Sequence, residues 1–536
     1  MARNHDKVWK GNRAGGICKR FEYMENSKDK SMKQIKYGSM ISYVLIFINI
    51  LLGLLYTPWI LKEIGDSHYG LYTLTSSLIA LFLMDFGMSS AVSRFVAMYR
   101  VKNQQDMVDC FIGMAFKLYF CIMAMIGVVL SVVYFNLDKI YSNLTSEELR
   151  VFKIVFAITA VCVIACFPVN ICNGILNAYE EYIVLKISDI FNKLGTVIVT
   201  MIVLLLHGGV YGLVFVNGFF NVITFIVKFQ LIYRRTPARI KFKCSDLSVF
   251  RGSLSFQGWT TVASLAQQMI FNLMPTVLAM VADTFAITLF GFANTIEGYV
   301  YTITNAINGM FLPKVMRIVV KDENAGDALP LMIKVGRINQ SVVSLLLIGI
   351  FSVGRQFVDL WVGNEYQELY ICILLICIPY SVSASQQIAN TSLTALNKVK
   401  YPAIIYMVTG GGNLLLSYVL AGKFGIIGVS FTIGLTFWLR VILLNIVYVR
   451  LLHINIFYFF KECHIKMMPA LLLCLSASYT IGKYLTIPFG GWNGFGIKVV
   501  LICIIYCICM WVIGWNHFEK QLIKSLFHRN KYNVKG

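Results

Sequence analysis

Long apolar runs recur along the chain, separated by short polar stretches. Fourteen can be marked, at about 38–61, 70–92, 110–134, 152–176, 187–206, 209–227, 252–280, 284–311, 338–354, 370–392, 402–421, 425–449, 467–482 and 497–515. A helix needs roughly 20 apolar residues to cross a bilayer, so the pattern predicts an all-α, polytopic membrane protein with about 14 transmembrane helices. The pairs meeting at His207-Gly208 and at Ala282-Asp283 read as helical hairpins.

Charge gives these spans an orientation. With the N-terminus in the cytoplasm, 36 of the 47 Lys and Arg residues fall on cytoplasmic segments and six fall outside. Cytoplasmic loops carry such an excess, which accounts for the net charge of +21 without nucleic acid. An odd number of spans would destroy the bias, so both termini are expected to be cytoplasmic. Trp59, Trp361, Trp492 and Trp515 fall near predicted span ends, as an interfacial belt requires.

The chain also repeats itself. Pro58 and Pro275 end similar runs and are followed by Asp66 and Asp283; Leu176-x-Ala178 matches Leu393-x-Ala395 at the same offset of 217. Gly209-Val-Tyr-Gly212-x-x-Phe215-x-x-Gly218 matches Gly425-Ile-Ile-Gly428-x-x-Phe431-x-x-Gly434 at an offset of 216. The shift covers six spans, an even number, so the two halves insert in the same orientation as parallel repeats. The expected organisation is a basic cytoplasmic segment at 1–37, an N-lobe at 38–231 (spans 1–6), a C-lobe at 252–450 (spans 7–12), two extra spans at 467–516 and a basic cytoplasmic tail at 517–536. Met32-Lys33-Gln34-Ile35-Lys36 offers an alternative start, and no fold is assigned to residues 1–31.

Composition narrows the function. Hydrophobic residues make up 58% of the chain and charged residues 14%, below the about 25% of soluble domains. There is no G-x-x-x-x-G-K-[ST] phosphate loop, so an ATP-driven pump in one chain is excluded. No loop is large enough for a sugar-nucleotide domain. Most of the 14 cysteines, such as Cys162, Cys166, Cys372 and Cys377, lie inside apolar runs and read as small core residues.

Polar stripes mark several spans. Span 7 carries Gln257, Thr261, Ser264, Gln268, Asn272 and Pro275; span 8 carries Asn294, Glu297, Tyr301, Thr304, Asn305 and Asn308. Span 10 offers Ser383, Gln387, Asn390 and Thr394; span 4 offers Asn170, Asn173 and Asn177; span 1 offers Ser42, Asn49, Gly53 and Thr57. Residues three and four apart share a helical face. Such faces either hydrogen-bond neighbouring helices or wall a hydrated cavity, where amides would both donate to and accept from a polyhydroxylated ligand. Glu297 lies mid-span, where a charge costs roughly 2.5–3.5 kcal/mol on insertion scales; it is either a coupling-ion or proton site or a structural carboxyl. Asp85 and Arg94 in span 2 lie on opposite faces. Lys193, with Asp189 one turn earlier, Arg337 and Arg440 lie toward the inner side. These cations either receive a phosphate from the cytoplasm or snorkel to the interface.

Thr57-Pro58-Trp-Ile-Leu-Lys-Glu-Ile-Gly65-Asp-Ser-His-Tyr-Gly70-Leu-Tyr72 resembles the end of span 1 in polysaccharide transporters of the multidrug/oligosaccharidyl-lipid/polysaccharide (MOP) exporter superfamily. Asp85-Phe86-Gly87-Met88, with Ala91 and Arg94-Phe-Val-Ala97, is similar to that family's span 2, and Gly174-Ile-Leu-Asn-Ala178-Tyr-Glu-Glu-Tyr182 to its span 4 exit. The resemblance implies a Wzx-type flippase of the bacterial inner membrane, with two MATE-like lobes alternating around a cationic cavity. It would move undecaprenyl-diphosphate-linked oligosaccharide units for O-antigen, capsule or exopolysaccharide. It implies partners in the bilayer, the lipid-linked oligosaccharide, and polysaccharide polymerase and chain-length machinery. No cofactor is expected beyond a coupling H+ or Na+, and no enzymatic activity. A cation-coupled multidrug exporter, a lipid II flippase and a membrane polysaccharide polymerase stand as alternatives; the first would favour an acidic cavity and the last a long external loop.

Overall fold

The computed structural model describes residues 34, 37, 38, 40–82, 87–242, 248–321, 328–485 and 490–528. The described chain is helical throughout, in the order α1 (Met40–Ile64), α2 (Asp66–Ala80), α3 (Met88–Val101), α4 (Gln105–Ile140), α5 (Ser146–Cys166), α6 (Val169–Ala178), α7 (Tyr182–Leu205), α8 (Gly209–Arg235), α9 (Ser248–Asn272), α10 (Met274–Val281), α11 (Thr284–Lys321), α12 (Leu329–Trp361), α13 (Glu368–Ser385), α14 (Gln387–Ala395), α15 (Lys400–Leu452), α16 (Ile456–Phe460), α17 (Met468–Tyr484), α18 (Gly491–Cys509) and α19 (His517–His528). Among the described residues, every apolar run marked in the sequence coincides with one of these helices or with a consecutive pair.

The starts and breaks have local causes. Thr145 and Glu148 cap α5 reciprocally: the Glu148 N–H donates to the Thr145 hydroxyl and the Thr145 N–H to the Glu148 carboxylate, at 3.3 and 3.0 Å. Pro168 breaks span 4 into α5 and α6, and Pro275 sits in the first turn of α10, where no N–H is needed. The 53 residues of α15 would make a rod of about 80 Å, far longer than a hydrocarbon core of about 30 Å. Gly425 folds it back, with φ 54° and ψ −134°. Ser417 then bonds Thr432, Thr436 donates to Asn413 and Arg440 to Thr409, a ladder between two antiparallel arms.

The internal repeat is visible in this geometry. Gly209 and Gly425 both adopt positive φ, 56° and 54°, at the turns of corresponding hairpins. Gly218 packs against Cys162 of α5, and its counterpart Gly434 against the Leu375 carbonyl of α13. The extra C-terminal pair docks on α12. Ser344, Tyr506 and Trp515 share a network there: the Tyr506 hydroxyl donates to the Ser341 carbonyl at 2.7 Å and the Trp515 indole to the Ser341 hydroxyl at 3.1 Å.

Residues 517–528 differ from a plain basic tail. Asn516 caps α19, its amide oxygen accepting the Glu519 N–H at 3.1 Å. Glu519 is 4% exposed and grips Arg337, 3% exposed, through two bonds of 2.5 and 2.9 Å.

The two lobes are joined at one end. Thr284 donates to Glu148 at 2.9 Å and Thr288 to the Asp66 carbonyl at 2.8 Å; Tyr366 donates to Asp66, Asn143 to the Met280 carbonyl at 2.6 Å and the Trp361 indole to the Leu54 carbonyl at 2.7 Å. Tyr141 and Thr276 complete the seam. Every cross-lobe hydrogen bond among the described residues falls toward this end, which the charge pattern places outside. Trp361 therefore belongs to the seam, buried against Phe292 and Phe357, and not to a lipid-facing belt.

Candidate functional site

A polar cavity of about 640 Å³ lies within the N-lobe, in the 300–1,000 Å³ range of small-molecule sites. Its walls are α1 (Asn49), α2 (Tyr72, Ser76), α5 and α6 (Thr159, Asn170, Asn173), α7 (Asp189, Asn192, Lys193) and α8 (Asn217, Asn221, Thr224, Lys228). On α8 the polar positions fall at i, i+4, i+7 and i+11, one face of a helix. Lys228, 3% exposed, donates to Asp189 at 2.7 Å and to the Asn173 amide oxygen at 2.9 Å. Asn192 donates to Thr224 at 2.8 Å and to Asn221 at 3.1 Å. Lys193 makes no hydrogen bond or ion pair among the described residues. The charged wall residues are thus two ammonium groups and one carboxylate, and that carboxylate is shared with a third lysine, Lys186, 3.7 Å from its other oxygen.

Of the candidate residues named from sequence, Lys193 lines this cavity, together with Asn49, Asn170, Asn173 and Asp189. Asp85 and the side chain of Gln257 lie outside the described residues. Arg94 is exposed on α3. The other candidates sit in the C-lobe. Gln268 accepts from Asn272 at 2.8 Å. Asn294, Asn305, Gln387 and Asn390 are half-buried. Tyr301 is exposed, its ring 6.3 Å from that of Tyr380. Glu297 is 5% exposed and makes no hydrogen bond or ion pair among the described residues.

The expected ring of cations, Arg94, Lys193, Arg337 and Arg440, does not form one surface. Besides Glu519, Arg337 donates to the Glu462 and Gly514 carbonyls at 2.6 and 2.7 Å. A guanidinium with five donors so engaged holds the C-terminal helices in place and is not open to an anion. Arg440, 2% exposed, donates to Thr409 at 2.9 Å and to Gln267, with its guanidinium 4.4 Å from the Tyr406 ring centre. It ties α9 to both arms of α15.

Lys228, Asn192, Asn217, Asn221 and Thr224 are not among the candidates that the sequence offers. The regular spacing on α8 could have found four of them. The apolar run ends at residue 227, which puts Lys228 at the cytoplasmic end; α8 instead runs on to Arg235.

A second cavity, about 320 Å³ and almost wholly apolar, lies where α1, α11, α12, α13 and α18 meet. Ile50 and Leu54 of α1 line it, one residue and five residues beyond Asn49 of the polar cavity. Helix α1 is thus a wall shared by two cavities of opposite character.

The fold is shared with solved transporters. The lipid II flippase MurJ in its inward closed conformation superposes with a TM-score of 0.66 at 15% identity, covering 92% of this chain and 99% of that one. An inward-facing multidrug resistance MATE family transporter of the MOP superfamily superposes with a TM-score of 0.59 at 12% identity, covering 76% of this chain and 99% of that one. These likenesses show a common architecture, two lobes of the MATE kind with further C-terminal helices here. No curated protein matches the sequence. The model of the family described as polysaccharide biosynthesis protein matches residues 35–319, over half of the chain, and this multi-pass membrane protein belongs to that family.

Proposed function

We propose that the protein is a flippase that moves an oligosaccharide linked to undecaprenyl diphosphate from the inner to the outer leaflet of a bacterial inner membrane, both termini facing the cytoplasm. One observation carries this: a polar, cation-bearing cavity and an apolar one lie on either side of α1. That pairing suits an amphiphile whose glycan head needs amides and ammonium groups while its tail stays in hydrocarbon. The seam at the outer end supports alternation of the lobes, since only this end has to part for release outward. The expected domain boundaries, N-lobe 38–231 and C-lobe 252–450, set the moving bodies.

Transport of an anionic headgroup outward, with the inside negative, gains about 2.3 kcal/mol per charge per 100 mV. The potential therefore supplies a drive without a cofactor. A coupling H+ or Na+ would have Glu297 as its seat, as a buried carboxyl with no bonded partner among the described residues. The test is reconstitution in proteoliposomes with a fluorescent lipid-linked oligosaccharide, an imposed potential and independently set ion gradients. Flipping that follows the potential supports the reading. Export of a cationic drug with no movement of the glycan-lipid refutes it in favour of the multidrug class. Equal movement of lipid II would extend the cargo to peptidoglycan precursors.

A further inference from the structure

We infer that Pro58 and Trp361 form a latch on the outer seam, in which the proline withholds a backbone donor and the opposite lobe supplies it. The inference rests on the parting of the lobes that the flippase reading requires, and it names two positioning residues that hold them shut.

One helical register creates the acceptor. In an α-helix the carbonyl of residue i accepts from the N–H of residue i+4. For Leu54 that residue is Pro58, which has no N–H. Helix α1 nevertheless runs unbroken from Met40 to Ile64. The missing donor comes from outside the helix: the Trp361 indole, on α12 of the other lobe, donates to the Leu54 carbonyl at 2.7 Å. Trp361 is 3% exposed, its ring packed on Phe292 and Phe357, so the indole is held in that direction. One residue earlier, Gly53 brings α1 close to α11; a Cβ there would collide with the Tyr299 hydroxyl.

The second repeat accommodates the same residue differently. Pro275 is the counterpart of Pro58 at the offset of 217. There the helix stops: α9 ends at Asn272, and Pro275 lies in the first turn of α10, where no N–H is needed. In the N-lobe the helix continues and the donor crosses the seam. Parting the lobes takes the Trp361 donor away, and residue 58 has none to replace it. An unpaired carbonyl in a dry site costs more than the net worth of an ordinary hydrogen bond. The closed seam is therefore favoured by a bond that matters because residue 58 is proline.

The test uses the full-length protein in proteoliposomes. Nitroxides are attached through keto amino acids, which spare the native cysteines, at the exposed positions 139 and 423, one in each lobe. Double electron–electron resonance then reads the ratio of open to closed seams. Pro58→Ala should raise it about tenfold, the scale of one unpaired buried carbonyl, because Leu54 is then served within α1 in both states. Trp361→Phe should raise it by a similar factor while Pro58 is present, because the carbonyl is then unpaired in the closed state. In the Pro58→Ala background Trp361→Phe should add less than about twofold, the non-additivity expected of two residues acting on one group. Monodispersity and circular dichroism confirm that each variant is folded. An equal Trp361→Phe shift in both backgrounds assigns the indole to packing alone and overturns the latch, as does an unchanged ratio in Pro58→Ala. A single distance in every variant overturns the parting of the lobes and the latch with it. The expected coupling without movement of a lipid-linked oligosaccharide upholds the latch and refutes the cargo.

Discussion

Glu519→Ala offers the sharpest probe of how the C-terminal helices are held. In the native protein Arg337 and Glu519 are 3% and 4% exposed and bonded twice, at 2.5 and 2.9 Å. Removing the carboxylate leaves a buried guanidinium without a counter-charge, which costs about 3–5 kcal/mol. Two carbonyls, of Glu462 and Gly514, still accept from Arg337, so the lower figure of about 3 kcal/mol applies. The strain is relieved locally, by detachment of α19. At about 1.4 kcal/mol per factor of ten, the detached fraction rises roughly 100-fold. Lys520 and Lys524 lie on α19, and trypsin cleavage there in nanodiscs reports the detached population when opening is fast. Cleavage should therefore accelerate by about two orders of magnitude. Replacing both partners, Arg337→Met with Glu519→Leu, should restore resistance, because apolar pairs of similar volume commonly substitute for a buried ion pair. Wild-type cleavage in Glu519→Ala, or no recovery in the double variant, would refute the reasoning.

Three further outcomes follow from the packing. Asp189→Asn leaves the Lys228 ammonium with the Asn173 oxygen and a neutral amide; thermal unfolding in detergent should come earlier, by the equivalent of about 3 kcal/mol, and adding Lys228→Met should recover most of it. Gly218→Ala places a Cβ 2.3 Å from the Cys162 sulfur and 2.7 Å from its Cβ; overpacking of this kind costs about 1–3 kcal/mol, and Cys162→Ala, which removes the nearer of the two atoms, should return part of the loss. Glu148→Gln removes the charged acceptor shared by Ser67 and Thr284 at 2.8 and 2.9 Å; hydrogen exchange in the first turns of α2 and α11 should quicken about tenfold, the scale of one charge-assisted hydrogen bond.

Hydropathy alone reveals the helices, because a bilayer imposes length and apolarity on each pass regardless of its neighbours. The repeat is equally open: Gly209 and Gly425 stand at turns that require a positive φ, a demand that shows as a residue type. The site is less legible. Arg337 looks available in the sequence because its partner Glu519 lies 182 residues away, and nothing local announces a pairing over that distance. Asn516-x-x-Glu519 does have the spacing of a helix cap, but it stands within a stretch that reads as a basic tail. Lys228 is hidden for a different reason. A long, charged side chain ends an apolar run on any hydropathy scale, whereas the folded helix continues through it and meets the charge with Asp189.

The placement of every described cross-lobe bond toward one end has a practical sequel. An antibody fragment that recognises Asn143 together with the neighbouring Met280–Thr284 corner would find both halves of its epitope only while that corner is shut. A binder moves an equilibrium by the difference in its affinity for the two states, so such a reagent would arrest the molecule in one posture. It could be raised while the cargo is still unidentified, and it would give an occupancy gauge readable on spheroplasts or in proteoliposomes.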